Sequence, residues 1–221
     1  MKAVLMSIQP QWCELIANGE KTVEVRKTRP KFEAPFKVYI YCTKGKPTLG
    51  RCLRDNSLKE TPEVDFDNYN RNTLFRANGK VIGEFICDEI TEYEGEFWDD
   101  ETQESIKKVI HSVDWDGYPE VDYIFFAENG EENSLCKSAC LTWKNLRDYM
   151  GTGINTFYGW HISGLVIYDE PKDLGEFFAA CNKPAGTDCT KCTEQHNNSC
   201  KQIKRPPQSW CFVEEVSDGN V

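Results

Sequence analysis

Four residues of one short segment carry side chains that suit ligand binding or acid–base chemistry. Lys21, Thr22, Glu24 and Arg26 lie in residues 21–26, which read KTVEVR. Polar and apolar residues alternate from Thr22 onward, and this alternation predicts a strand with Thr22, Glu24 and Arg26 on one face. A lysine attracts phosphate, and a lysine whose pKa is lowered by burial acts as a base or nucleophile. Glu24 and Arg26 are placed to form an ion pair that serves either a ligand or the structure.

Glu84 is a second candidate because it interrupts an apolar segment, residues 80–90 (KVIGEFICDEI), that predicts a strand. A buried carboxylate is costly unless it is paired. Glu84 would therefore pair with Lys21 and hold it charged, or accept a proton if burial raises the pKa of its carboxyl. The alternative is a glutamate on the outer surface of a barrel.

Three tryptophans are candidates for stacking against a nucleic-acid base: Trp12, Trp160 and Trp210. An aromatic face stacks a base at about 1–3 kcal/mol. Trp12 lies on the apolar stripe of a predicted helix over residues 7–19, so core packing is its alternative role. Trp160 precedes a predicted strand and Trp210 follows two prolines, and either one would wall a pocket or pack in the core.

The C-terminal part of the chain carries a cysteine pattern that is typical of zinc sites. Four of the eleven cysteines follow the spacing C-x7-C-x2-C-x7-C, namely Cys181, Cys189, Cys192 and Cys200. The C-x2-C pair can place two thiolates on one ion, and the outer cysteines complete a tetrahedral site, with His196 as an alternative fourth ligand. Four protein ligands predict a structural zinc ion. Disulfides and free thiols are the alternatives.

The charge distribution limits the kind of partner. The chain has 221 residues and a net charge of −10, which disfavours general nucleic-acid binding. Residues 1–50 nevertheless carry nine Lys or Arg and four Asp or Glu. This local excess of positive charge is compatible with an anion site that binds a single nucleotide or a short single strand of nucleic acid. No apolar run reaches the length of a membrane span and no secretion signal is evident, which predicts a cytoplasmic protein.

The periodicity of the chain predicts an α+β fold, a small mixed β-barrel of about five or six strands with flanking helices. Predicted strands lie at 36–42, 80–90, 121–126, 161–168 and 210–213, and predicted helices at 7–19, 102–113 and 142–149. We expect one domain over residues 1–221, with insertions at about 43–79 and 92–140 and a cysteine-rich, zinc-stapled insert at 181–203.

Residues 7–26 (SIQPQWCELIANGEKTVEVR) resemble the signature of the ASCH domain, roughly S-x-x-P-x-W-x-x-x-I-x-x-G-x-K-x-x-E-x-R. Further stretches are similar to a bacterial and prophage-type branch of that family, at 79–85 (GKVIGEF), 158–177 (YGWHISGLVIYDEPKDLGEF) and 204–214 (KRPPQSWCFVE). The resemblance implies a PUA-like β-barrel that recognises RNA or a modified nucleotide, in a cleft beside the first helix and the G-x-K-x-x-E-x-R segment.

The resemblance also implies an enzymatic alternative. One small ASCH-type enzyme is an amidohydrolase that deacetylates N4-acetylcytidine with a Lys, a Thr three residues later and a Glu on a later strand. The matching positions here are Lys21, as base or nucleophile, Glu24 and Glu84. Because Glu24 replaces the threonine, we favour binding, with Trp12, Thr22, Arg26, Trp160 and Trp210 as ligand contacts. Two further functions are considered: cleavage of RNA by the same charged residues, and a protein-interaction role for the acidic insertions.

Overall fold

The chain is dominated by β-sheet, as its sequence predicts. The computed structural model describes residues 2–61, 74–97, 105–113, 119–124, 134–180 and 202–216. Over these ranges there are more strands than the five or six expected, and the sheets that they form do not close into a barrel. The strands are β1 (Lys2–Ile8), β2 (Val23–Arg26), β3 (Phe36–Cys42), β4 (Leu49–Cys52), β5 (Ser57–Glu60), β6 (Leu74–Arg76), β7 (Val81–Cys87), β8 (Ile90–Phe97), β9 (Ser105–Val113), β10 (Pro119–Ile124), β11 (Gly153–His161), β12 (Ser163–Lys172) and β13 (Trp210–Glu214).

Three α-helices accompany the strands, α1 (Pro10–Ala17), α2 (Ser134–Ala139) and α3 (Trp143–Met150), with a short 3-10 turn at Leu174–Glu176. In the part of the chain that is described, no helix has the length and apolar character needed to cross a bilayer. The chain forms two compact units, a first unit of Met1–Asn18, Phe36–Ile86 and Gly164–Val221 and a second unit of Gly19–Pro35 and Cys87–Ser163.

The first unit is built on a five-stranded sheet of order β12-β7-β3-β1-β13, beside a small sheet of order β5-β4-β6. Strand β1 runs parallel to β3 and antiparallel to β13, and it lies between these two strands in the sheet. Residues 3–8 are buried throughout. A strand that is buried on both faces has no polar alternation, which is why periodicity did not predict β1.

The second unit is built on a sheet of order β10-β9-β8-β11-β2. Residues of the two helices α2 and α3 pack with residues of the sheet in one apolar cluster, which contains Val25, Tyr93, Leu135, Ala139, Leu146, Met150 and Phe157. The rings of Tyr93 and Phe157 stack with their centroids 5.3 Å apart. Because Val25 faces this cluster, the alternating residues Glu24 and Arg26 of β2 point to the other face of the sheet.

Two predicted helices differ from the structure. The predicted helix at 102–113 is wrong, because Ser105–Val113 is strand β9, paired with β8 and β10. Its apolar residues have helical spacing, but they are β-branched isoleucines and valines that suit a strand. The helix predicted to begin at Ser7 begins at Pro10 instead, after Gln9, while Ser7 lies in β1 and donates to the carbonyl of Pro207.

Several other predictions are confirmed. Strands β3 and β13 lie where expected, and the predicted helix over 142–149 is α3, in which Thr142 is the N-cap and accepts a hydrogen bond from the backbone N–H of Asn145.

Two other segments differ in detail from their predictions. The predicted strand over 161–168 is divided between two strands, because β11 ends at His161 and β12 begins at Ser163. The predicted insertion at 43–79 contains β4, β5 and β6, so it builds a sheet of its own.

Candidate functional site

Lys21 is almost completely buried in the second unit. Its side chain is 2% exposed, and its Nζ donates to the carbonyl oxygen of Ala139 at 2.6 Å and lies 3.3 Å from Oε2 of Glu24. Ala139 ends helix α2, where carbonyl groups have no partner within the helix and carry partial negative charge. A backbone carbonyl and a carboxylate therefore both lie within reach of Lys21 Nζ.

Glu24 lies between two cations. Its Oε1 is 2.9 Å from Nη2 of Arg26, and its Oε2 faces Lys21. The side chains of Glu24 and Arg26 are 8% and 9% exposed. The shared face and the ion pair that the alternation of β2 predicts are both present. Lys21, Glu24 and Arg26 thus lie together in a place that excludes most water, where charged groups interact more strongly than at the surface.

Thr22 is the exposed residue of this segment. Its backbone N–H donates to the carbonyl of Ser138 at 2.8 Å, and its carbonyl accepts from the N–H of Ile162 at 2.9 Å. Both bonds fix the chain directly after Lys21, so the Thr22 side chain is presented to solvent from a rigid backbone.

Trp160 lies next to the charged residues but is inaccessible. In the pairing of β11 with β2, Trp160 is opposite Glu24 and Tyr158 is opposite Arg26, and directly opposed residues share one face of a sheet. Trp160 is completely buried. Its ring is therefore part of the protein interior on the face of the sheet that carries Glu24. A base cannot stack on it, because the ring is already covered by other residues.

Tyr149 is a residue of the site that the sequence reasoning missed. It lies in α3, is 42% exposed, and has Nζ of Lys27 5.1 Å from its ring centroid. Burial of its hydroxyl raises the pKa of Tyr149, the positive charge of Arg26 opposes that rise, and the negative charge of Glu24 adds to it. Its position off the apolar stripe of α3 signals exposure, but only the tertiary structure brings it to Arg26.

Glu84 finds its partners within the first unit. Its Oε1 is 2.7 Å from Nζ of Lys37, and its Oε2 accepts from the hydroxyl of Tyr168 at 2.5 Å. Burial lowers the pKa of Lys37, but the hydrogen bond and charge of Glu84 outweigh it, so the pKa is raised overall. Glu84 thus forms an ion pair with Lys37, as Glu24 does with Lys21. The sequence reasoning named Glu84 but not Lys37.

Trp12 and Trp210 also lie in the first unit, and both are half-buried. Because α1 begins at Pro10, its buried residues are Pro10, Cys13 and Ile16, and Trp12 on the predicted apolar stripe is only partly covered. The ring of Trp210 meets that of Phe212 edge to face, with centroids 5.3 Å apart. Both indoles retain exposed surface, unlike that of Trp160.

The predicted zinc ligands Cys181, Cys189, Cys192 and Cys200, and the alternative His196, lie outside the described residues. Elsewhere, over the ranges that are described, no group of three or more His, Cys, Asp and Glu side chains is arranged to hold a metal ion.

Part of this chain is similar to known proteins. A family model described as the ASCH domain matches residues 6–124, more than half of the chain. ASCH from Zymomonas mobilis aligns with 16% identity over 96% of this chain and 88% of its own, at a TM-score of 0.43. A tyrosine-to-phenylalanine variant of ASCH from that organism aligns with 17% identity over 77% and 73%, at a TM-score of 0.36. No curated protein matches the sequence.

Proposed function

The chain belongs to the ASCH domain family, and from that premise we propose that it binds RNA or a modified nucleotide through Lys21, Glu24 and Arg26. The observation that carries the proposal is the single Glu24 carboxylate between two buried cations. The ammonium of Lys21 and the guanidinium of Arg26 would attract a phosphate or a base carbonyl, and the low exposure of all three side chains strengthens that attraction.

Each residue has a distinct role in the proposal. Arg26 presents a planar guanidinium that suits bidentate contact with phosphate or with a base edge. The exposed hydroxyl of Thr22 would read a donor or acceptor of the ligand. The exposed ring of Tyr149, with Lys27 beside it, offers a stacking surface of the kind that single-stranded nucleic acids use.

Glu24 favours binding over amide hydrolysis. A lysine that acts as base or nucleophile must release its proton, whereas the carbonyl of Ala139 accepts a hydrogen bond from Lys21 Nζ and the Glu24 carboxylate forms an ion pair with it. The burial of Lys21 is nevertheless what a reactive lysine requires, so an amidohydrolase acting on N4-acetylcytidine-like nucleosides is the second candidate. Phosphodiester cleavage by the same charged residues is a third.

Arg26→Gln tests the proposal. Binding of a fluorescein-labelled 12-nucleotide RNA and of cytidine and N4-acetylcytidine is measured by anisotropy and calorimetry. The matched control is Arg29→Gln, which removes an arginine three residues away whose ion pair with Glu33 is solvent-exposed. We expect at least tenfold weaker binding of RNA or of a nucleoside in Arg26→Gln and less than a twofold change in Arg29→Gln.

The same incubations, read by mass spectrometry, separate the three candidates. Release of acetate from N4-acetylcytidine that is lost in Lys21→Gln establishes the amidohydrolase, and shortened RNA establishes the ribonuclease. Equal affinity of the wild type and folded Arg26→Gln for every ligand refutes the proposal, and the circular dichroism spectrum establishes that the variant is folded.

We further propose that residues 181–203 form a zinc-stapled insert on a chain of the prophage-type branch. The support is the symmetric spacing of the four cysteines around one C-x2-C pair, in a stretch too polar to order itself by burial. The four thiolates would complete the coordination shell, which leaves the ion a structural role.

A further inference from the structure

The first unit contains a groove that the proposed function does not use. Its volume is about 600 Å³, within the range of small-molecule sites. Two parts of the chain supply the lining that matters here. One comprises the turn after β3, with Lys44, and the turn before β7, with Gly79, and the other is the segment before β13, with Lys204 and Arg205. None of these residues belongs to the site around Lys21.

Three cations line this groove without acidic partners. Over the described ranges, no carboxylate forms an ion pair with Lys44, Lys204 or Arg205. Other lysines of the first unit are paired, for example Lys80 with Asp173 at 2.5 Å and Lys37 with Glu84 at 2.7 Å. In a chain of net charge −10, three unneutralised cations around one groove are a local reversal of the overall charge.

The acidic residue of the described lining is already engaged. Asp173 pairs with Lys80 and caps the 3-10 turn that follows it, where its backbone N–H donates to Oε1 of Glu176 at 2.6 Å. Its charge is thus balanced from outside the groove. It does not offset the field of Lys44, Lys204 and Arg205.

The first part of the lining is held in place by side-chain hydrogen bonds and close packing. Asn78 donates to the carbonyls of Gly45 and Pro47 and accepts from the N–H of Leu49, so it ties the turn after β3 to the turn before β7. Gly79 has φ +82°, and an added Cβ would lie 3.0 Å from Cε of Lys44. The stem of Lys44 therefore lies against this glycine.

The second part of the lining is held as well. The Nε2 of Gln202 donates to the carbonyl of Gly175 at 2.6 Å, and the N–H of Ile203 donates to the carbonyl of Phe177 at 2.8 Å. Ile203 also packs against the apolar core of the first unit. The backbone that carries Lys204 and Arg205 is therefore fixed directly before both cations, which reduces the entropy that a ligand must overcome to order them.

We propose that this groove binds phosphate groups, with Lys44 and Lys204 as point charges and Arg205 as a bidentate donor. Phosphate matches the groove because it is small, multiply charged and recognised by lysine and arginine together. The phosphates belong either to the backbone of an RNA strand or to a free nucleotide. Backbone contact would add a second, sequence-independent anchor at a distance from base recognition.

The test removes the three charges together, in Lys44→Gln/Lys204→Gln/Arg205→Gln. The control, Lys31→Gln/Lys59→Gln/Lys144→Gln, lowers the net charge equally at exposed lysines outside the groove. The probes are a labelled 12-nucleotide oligouridylate, uridine monophosphate and inorganic pyrophosphate. We expect at least tenfold weaker RNA binding at 50 mM salt in the groove variant. The slope of log K against log salt should become shallower by about 2, as expected for three lost contacts to a single strand.

The outcomes separate the two sources of phosphate. Loss of RNA affinity with the shallower slope assigns the groove to a nucleic-acid backbone, and loss of uridine monophosphate and pyrophosphate binding alone assigns it to a free nucleotide. The proposal is overturned if the groove variant binds all probes like the wild type, if the control loses as much, or if the wild type binds none of them. Arg26 does not line the groove, so Arg26→Gln tests the site around Lys21 while the groove variant tests the groove. Failure of either proposal is therefore observed independently of the other.

Discussion

When one buried carboxylate pairs with two cations, the energetic cost of burying each of the three charges depends on the other two. Lys21, Glu24 and Arg26 are all nearly buried, and the Glu24 carboxylate pairs with both cations. Removing one member of such a group leaves its partners buried without compensation, which costs more than the attraction itself would suggest.

Glu24→Gln should therefore lower the free energy of unfolding by about 3 kcal/mol or more, because it removes a buried carboxylate that pairs with two buried cations. Urea-induced unfolding followed by circular dichroism measures the change. Glu33→Gln is the control, since Glu33 is 84% exposed in its pair with Arg29 and its loss should cost less than about 1 kcal/mol. Equal stability of the two variants would contradict the interpretation of the site as one charge network.

Part of this site was predictable because the signal is local. Alternation over six residues suffices to place Glu24 and Arg26 on one face. The acceptor for Lys21 is the carbonyl of Ala139, 118 positions later, and no local pattern indicates it. The same holds for Glu84 and Lys37, which meet because strands β7 and β3 are neighbours in the sheet.

At the scale of elements, one glycine shows how closely β7 approaches β12. A Cβ added at Gly83 would lie 2.3 Å from the carbonyl oxygen of Val166 and 3.1 Å from Cα of Ile167. A glycine within a strand is often the mark of a β-bulge. The structure shows a close backbone approach, for which glycine is also the usual solution.

Gly83→Ala should lower the midpoint of thermal unfolding strongly or prevent folding, because the clash is with backbone and overpacking of this kind costs about 1–3 kcal/mol or more. Gly45→Ala is the matched control, since its nearest neighbour is a side-chain atom of Pro10 at 3.7 Å. Calorimetry should show a change of less than about 1 kcal/mol there. A Gly83→Ala protein as stable as Gly45→Ala would show that the two strands lie further apart.

The elements that the sequence predicted well are those with local signals. Strand β3 is a continuous run of β-formers, and α3 has both an N-terminal cap at Thr142 and a terminal glycine, Gly151, with φ +85°. Strand β9 was assigned as a helix because its apolar residues fall at helical spacing, while its pairing with β8 and β10 is a tertiary property. Tertiary pairing overrides local spacing of this kind.

At the scale of the whole molecule, the proposed zinc insert would tie the stability of the protein to metal binding. If residues 181–203 fold around zinc, the free energy of binding adds to the free energy of folding. Purified protein should contain one zinc per chain by plasma mass spectrometry. Chelation should lower its thermal midpoint.

Cys189→Ser and Cys192→Ser should each remove the zinc. Cys52→Ser, at a half-buried cysteine of β4, should keep it. The absence of stoichiometric zinc from protein purified without chelator would refute the zinc assignment.

The pairing of Lys2–Met6 with Trp210–Glu214 has a consequence for how the protein is made. On the ribosome, β1 emerges well before its partner β13, because some two hundred residues separate the two strands in the chain. The strands of the second unit have all left the exit tunnel by then, so that unit is free to fold during translation. The sheet of the first unit must wait, with β1 unpaired along one edge until the last strand arrives. During that interval the nascent chain exposes an apolar strand with one unpaired edge, and such edges pair readily with other chains.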